Sequence, residues 1–138
     1  MLHHLRARYP VLVGILLVFC GIFVGEYYAL YYRIPLFDKV LHVAGGAVAA
    51  WFVLALLQEE LTHLNWWKQL LILVSVTTFI GVVWEWAEYL ANFTRTSAPW
   101  LYHFFHGGNL SDTLSDLVAD VAGGLAMTLW ALRKERTP

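Results

Sequence analysis

The stretch Asp38-Lys39-Val40-Leu41-His42-Val43-Ala44-Gly45-Gly46 returns later in the chain as Asp116-Leu117-Val118-Ala119-Asp120-Val121-Ala122-Gly123-Gly124, identical at six of nine positions and with Asp120 in the place of His42. Upstream, Gly25-Glu26-Tyr27-Tyr28-Ala29 aligns with Ala87-Glu88-Tyr89-Leu90-Ala91. Shared Val, Ala and Gly content makes apolar segments resemble one another, but it does not place a Glu, an Asp and a second ionisable residue at matching points. The chain therefore reads as a duplicated two-element unit. The offset is 62 residues at the Glu-Tyr pair and 78 at the Asp-Gly-Gly element, so the second copy has a connection 16 residues longer than the first.

With 138 residues, 59% hydrophobic and 14% charged, the chain is too short for two ordinary domains and too apolar for a water-soluble one. Four apolar runs stand out, about 11–32, 41–58, 66–90 and 114–132. Each is close to or above the ~20 residues a helix needs to cross a hydrocarbon core of roughly 30 Å. Lipid offers no partner to backbone amides, so these runs are expected as helices. The expected fold is an all-α integral membrane protein, a single transmembrane domain over 1–138. Its four transmembrane helices form a parallel tandem repeat of two helical hairpins, about 11–58 and 66–132, with a longer outer loop over 92–111.

The first run follows Arg6 and Arg8 but continues past signal-peptide length into Tyr27-Tyr28 with no small-residue cleavage pattern, and so reads as a retained anchor. Cys20, the lone cysteine, has no internal disulfide partner and reads as a small buried apolar residue. Lys and Arg number six on one side of the four runs (Arg6, Arg8, Lys68, Arg133, Lys134, Arg136) and three on the other (Arg33, Lys39, Arg95). The excess belongs in the cytoplasm, which predicts both termini inside.

That orientation sends seven of the ten acids, Glu26, Asp38, Glu85, Glu88, Asp112, Asp116 and Asp120, to the outer halves of the helices. Ionisable groups at membrane depth are costly and mark functional sites by default. Asp38 and His42 are four apart, Asp112, Asp116 and Asp120 form one stripe, and Glu85 and Glu88 are three apart, so each set shares a helix face. Gly45-Gly46 and Gly123-Gly124 follow one turn deeper, where missing side chains allow helices to approach. The expected centre collects Glu26, Asp38, His42, Glu88, Asp116 and Asp120 about a pseudo-twofold axis along the bilayer normal. So many carboxylates require a counter-charge or protons. Carboxylates with one His suit Mg, Mn, Fe or Zn, and these six are the expected metal ligands. In the longer loop, His103 and His106 are expected either over the site or at the headgroup level with their aromatic neighbours.

The runs Phe37-Asp38-Lys39-Val40-Leu41-His42, Trp84-Glu85-Trp86-Ala87-Glu88 and Asp112 to Gly123 resemble the YjdF-like small inner-membrane proteins and, more distantly, the VanZ-like family with its Asp-Lys-x-x-His element and acidic last helix. The resemblance covers the last three helices. It implies a compact helical membrane protein at the cell envelope and supplies no reaction.

Three functional readings follow. In the first, a divalent cation at the cluster acts on a lipid or lipid-linked headgroup, polarising a phosphoryl oxygen or activating water, with Glu85 or His106 as the acid-base residue. Partners in this reading are membrane lipids and a lipid-linked substrate, with self-association open and no nucleic acid. With no nucleophile motif and no phosphate-cradling loop, metal binding ranks above catalysis. The second reading is a proton or cation relay through His42, opposed by the apolar inner halves of the helices. The third is structural, with Asp38 and Asp112 as helix caps and acids paired to Lys39, Arg33 and Arg95.

Overall fold

A computed structural model describes residues 2–105 and 108–134. The described residues form helices joined by turns, without strands. They are α1 (Leu2–Phe19), a π-helical segment (Cys20–Val24), α2 (Gly25–Tyr27), α3 (Leu30–Arg33), α4 (Phe37–Leu56), α5 (Gln58–Thr62), α6 (Trp66–Asn92), α7 (Pro99–Phe105) and α8 (Leu110–Lys134). Among the described residues, four stretches are long and apolar enough to cross a membrane: Arg8–Tyr27, Phe37–Leu56, Trp66–Asn92 and Leu110–Arg133.

Two spans begin earlier than hydropathy alone suggested. The second starts at Phe37 rather than near Leu41, because Asp38 and Lys39 lie within its first turn. The fourth starts at Leu110 rather than near Leu114, because the Asn109 side-chain carbonyl accepts the amides of Ser111 (2.9 Å) and Asp112 (3.2 Å) and so caps the helix. Asn109, not Asp112, is the cap, and Asp112 is left to pair elsewhere. The N-cap position of α4 is Leu36, in the left-handed region at φ 66°, with no side-chain cap bond, so Asp38 does not cap either. The first run ends at Tyr27 instead of Tyr32, since Ala29 takes φ 53° and turns the chain into α3.

Packing is inverted relative to a water-soluble bundle. Large apolar side chains face outward, among them Leu12, Phe79, Trp86, Leu90 and Val118. Much of the buried faces is small or polar: His42, Gly46 and Ala50 on α4, Thr77, Gly81 and Glu85 on α6, and Asp116, Asp120 and Thr128 on α8. Outward Leu and Phe lose nothing against lipid tails, while small residues let backbones meet. The most extensive pairing is α4 with α8; α6 packs on α8 and α1 on α4, while α1 makes no comparable contact with α6. A Cβ on Gly46 would fall on the Asp120 carbonyl, and one on Gly123 on the Val43 carbonyl.

Cys20 is exposed, not buried as expected, since it lies on the outward side of the π-helical segment with the other apolar groups. At the bundle end remote from the acids, Val53, Leu61 and Leu73 form a small apolar core. There the Gln69 amide donates to the Leu61 and Leu64 carbonyls, 2.9 Å each, and ties α6 to the preceding turn.

Candidate functional site

Helical periodicity on α4 and α8 places acids at matching heights, and close backbone contact at the glycines brings them together. Lys39, adjacent to Asp38 and one turn before His42, extends its ammonium to Asp116 (2.5 Å), Asp112 (2.6 Å) and Asp38 (3.3 Å). These cross-helix pairs join residues separated by 73 and 77 positions, and His42 meets Asp120 across 78. The two helices therefore run parallel and in register. Asp116 is 1% exposed. A carboxylate that deep is tolerable in ionised form only against a cation, and Lys39 supplies it.

One turn deeper, the His42 ring divides two sets of acids. Its Nε2 faces Asp116 (3.7 Å) and Asp38 (3.9 Å), and its Nδ1 faces Asp120 (3.3 Å) and Glu85 (3.9 Å). Among the described residues, two groups have ligand atoms mutually within 4.8 Å, Asp38-His42-Asp116 and His42-Glu85-Asp120. They are not equivalent. The first shares its aspartates with Lys39, so a metal there competes with a resident ammonium. The second is buried throughout and has no Lys or Arg among its bonded partners.

Two oxygens in the second group are buried without a hydrogen-bond partner, Glu85 Oε1 and Asp120 Oδ2. Buried acceptors left in that condition are costly, and a cation, a water or a proton would relieve them. The Thr113 side chain lies beside Glu85. Metal–ligand distances are about 2.0–2.2 Å, so ligand atoms within 4.8 Å close on one ion with small side-chain movements. Two carboxylates match the charge of a divalent cation, and the group could hold one.

The sequence-expected residues are distributed as follows. Asp38, His42, Asp116 and Asp120 come together, and Glu85 joins them as a potential ligand. Glu88 stands beside the group and accepts the Trp84 indole N–H at 2.7 Å. Glu26 belongs to neither metal-compatible group among the described residues; it lies near Tyr31. His106 falls outside the described residues, as does the His103 side chain. Two site residues were not expected at the centre. Lys39 was expected only as a helix-end partner, although its place between Asp38 and His42 was the available signal. Trp84 was signalled by its four-residue spacing from Glu88.

A cavity of about 160 Å³ opens beside the inner group. Its polar wall carries Asp38, His42, Glu88 and Asp120; its apolar wall includes Leu17, Val18 and Ile22 of the first span and Ile80 of α6. Tyr31 and Phe105 close the acid end, with the Phe105 ring tilted by 53° against Trp84 at 5.4 Å between centroids. Tyr31 donates to the Gly21 carbonyl at 3.2 Å, inside the π-helical segment. Burial, then the carboxylates of Asp38, Glu26 and Glu88, pushes its hydroxyl up to about 12, so it stays a neutral donor.

The fold and site define a four-span helical membrane protein with a buried acid–histidine cluster. A profile of the family described as "Predicted membrane protein (DUF2238)" matches residues 3–137, and the chain belongs to that family. An uncharacterized protein of Thermotoga maritima is 28% identical over 122 residues, covering 86% of this chain and 59% of the relative. The chain thus spans about three fifths of that relative's length. No solved structure matches.

Proposed function

We propose that this protein binds a divalent cation at His42, Glu85 and Asp120, in a bacterial inner membrane with the acid end facing outward, and presents it to a lipid or lipid-linked headgroup. The observation that carries the reading is the pair of buried, unpartnered oxygens on Glu85 and Asp120 on the Nδ1 side of His42. Glu26, Asp38, Glu88 and Asp116 shape the field around the ion, with Lys39 fixing Asp116 and Asp38. The headgroup part of the reading is supported by the cavity, which joins the cluster to apolar walls. Mg, Mn, Fe and Zn all suit a carboxylate–imidazole set.

A second reading, proton relay, is favoured by His42 alone: each of its ring nitrogens faces a different set of acids. Thermal unfolding of the detergent-purified protein separates the two. Mn or Zn at a hundred times its dissociation constant should stabilise the wild type by about 2.7 kcal/mol relative to chelator. Asp120→Asn and Glu85→Gln should lose that response, and Asp112→Asn, on the Lys39 side, should keep it. A midpoint indifferent to every cation, with no metal in the purified protein, would leave the relay as the better account.

A further inference from the structure

The cavity carries a recognition chemistry of its own. Among the described residues, the ionisable groups on its wall are three carboxylates, Asp38, Glu88 and Asp120, together with His42 and the Tyr31 phenol, and no Lys or Arg lines it. Lys39, the nearby cation, is turned to the aspartates at the α4–α8 seam. Asp120 Oδ2 is the telling atom: it is buried and unpartnered on a residue 6% exposed. It is directed toward Gly81, where a Cβ would come within 2.6 Å of it, and Gly81 is itself part of the cavity wall.

Around the same end stand three aromatic rings, Trp84, Phe105 and Tyr31. Aromatic faces and carboxylates together form the cage that recognises ammonium groups, through ring quadrupoles and opposite charge. The other walls, Leu17, Val18 and Ile22 against Ile80, are aliphatic and come from the first and third spans. Those spans make no extensive contact with each other, so the aliphatic part lies where two helices leave a gap on the lipid side. A volume near 160 Å³ is about that of a cavity known to admit a benzene ring. It suits a cationic head with its first carbons.

We propose that this cavity binds a lipid-soluble organic cation, an amphiphilic amine or quaternary ammonium compound. The cationic head lies against Asp120, Glu88 and the three rings, and the hydrocarbon part lies between the first and third spans. The proposal names the class of amphiphile for the headgroup reading above and rests on that reading for the membrane origin of the ligand. It does not need the metal. Because Asp120 contributes to both the inner metal group and the cavity, metal and ammonium bind competitively.

The test is calorimetric titration of the full chain in detergent, in chelator and again with Mn added, using three probes of similar size. They are benzyltrimethylammonium, benzyl alcohol and phenyl phosphate. In chelator the quaternary ammonium should bind at least tenfold more tightly than the alcohol, the phosphate should not bind, and Mn should weaken the ammonium. Glu88→Gln should reduce ammonium affinity about tenfold with unchanged alcohol binding. Ala49→Phe, which fills the cavity from α4, should abolish binding of both and leave any Mn-dependent shift in unfolding midpoint intact.

Equal affinity for cation and alcohol would overturn the proposal and leave a merely apolar cavity. Phenyl phosphate binding only with Mn would overturn it in favour of a metal-bridged phosphate head. Ammonium binding in a protein that shows no metal response would remove the metal reading and keep this one.

Discussion

Lys39 decides how the acids at the α4–α8 seam coexist. Its ammonium reaches three aspartates, one of them fully buried, and removing one partner of a buried pair is far more damaging than the pair is stabilising. Lys39→Met should therefore destabilise the protein by roughly 3 kcal/mol, read from an unfolding titration in mixed micelles, because Asp116 then keeps its charge without a partner or must protonate. Lys39→Met with Asp116→Leu should recover most of that loss. If the double variant is no better than the single, Lys39 acts through something other than the buried aspartate.

Glycine contacts set the geometry of the α4–α8 element pair. Gly46 and Gly123 each meet the partner backbone, whereas a Cβ on Gly45 would lie 4.0 Å from its nearest neighbour, Asp120 Oδ1. Gly46→Ala and Gly123→Ala should each cost about 1–3 kcal/mol by overpacking, with Gly45→Ala close to wild type. A uniform response at the three positions would mean that helix propensity rather than backbone approach dominates.

The π-helical segment between α1 and α2 is held in a similar way by one contact. Tyr31 bonds the Gly21 carbonyl, and its ring lies where a Gly25 side chain would be. Tyr31→Phe should lose about 1 kcal/mol for that hydrogen bond and leave the span intact by circular dichroism. Loss of helix content would instead mean that the hydroxyl maintains the segment.

For the whole molecule, the separation of an acid end from an apolar end gives orientation its functional meaning. In the proposed orientation, which rests on six Lys and Arg on the α5 side against three on the other, the acids face outward. A cysteine at Thr96, exposed in the turn between α6 and α7, should be modified by an impermeant thiol reagent in intact cells expressing a Cys20→Ser background. Modification only after permeabilisation would move the acid cluster and its cavity to the cytoplasmic leaflet, and with them the source of any amphiphilic ligand.

The number of spans, their helical character and the shared faces of Asp38 with His42, of Asp116 with Asp120 and of Glu85 with Glu88 were legible in the sequence, because hydropathy and the 3.6-residue period are local properties of a chain. The parallel register of α4 and α8 was signalled by the matching Asp-x-x-x-His and Asp-x-x-x-Asp elements before their glycines. Helix starts were less legible, since Asp38, Lys39 and Asp112 break the apolar runs yet belong to the helices.

What the tertiary structure alone decided is which charges meet. Glu85 turns toward His42 while Glu26 lies near Tyr31; Lys39 takes three aspartates and leaves the deeper pair of acids to His42; and the first and third spans leave room for a cavity. Those outcomes depend on how closely backbones approach at Gly46 and Gly123 and on the Asp120 side chain fitting against Gly81, which is a property of two surfaces packed together and not of either segment by itself.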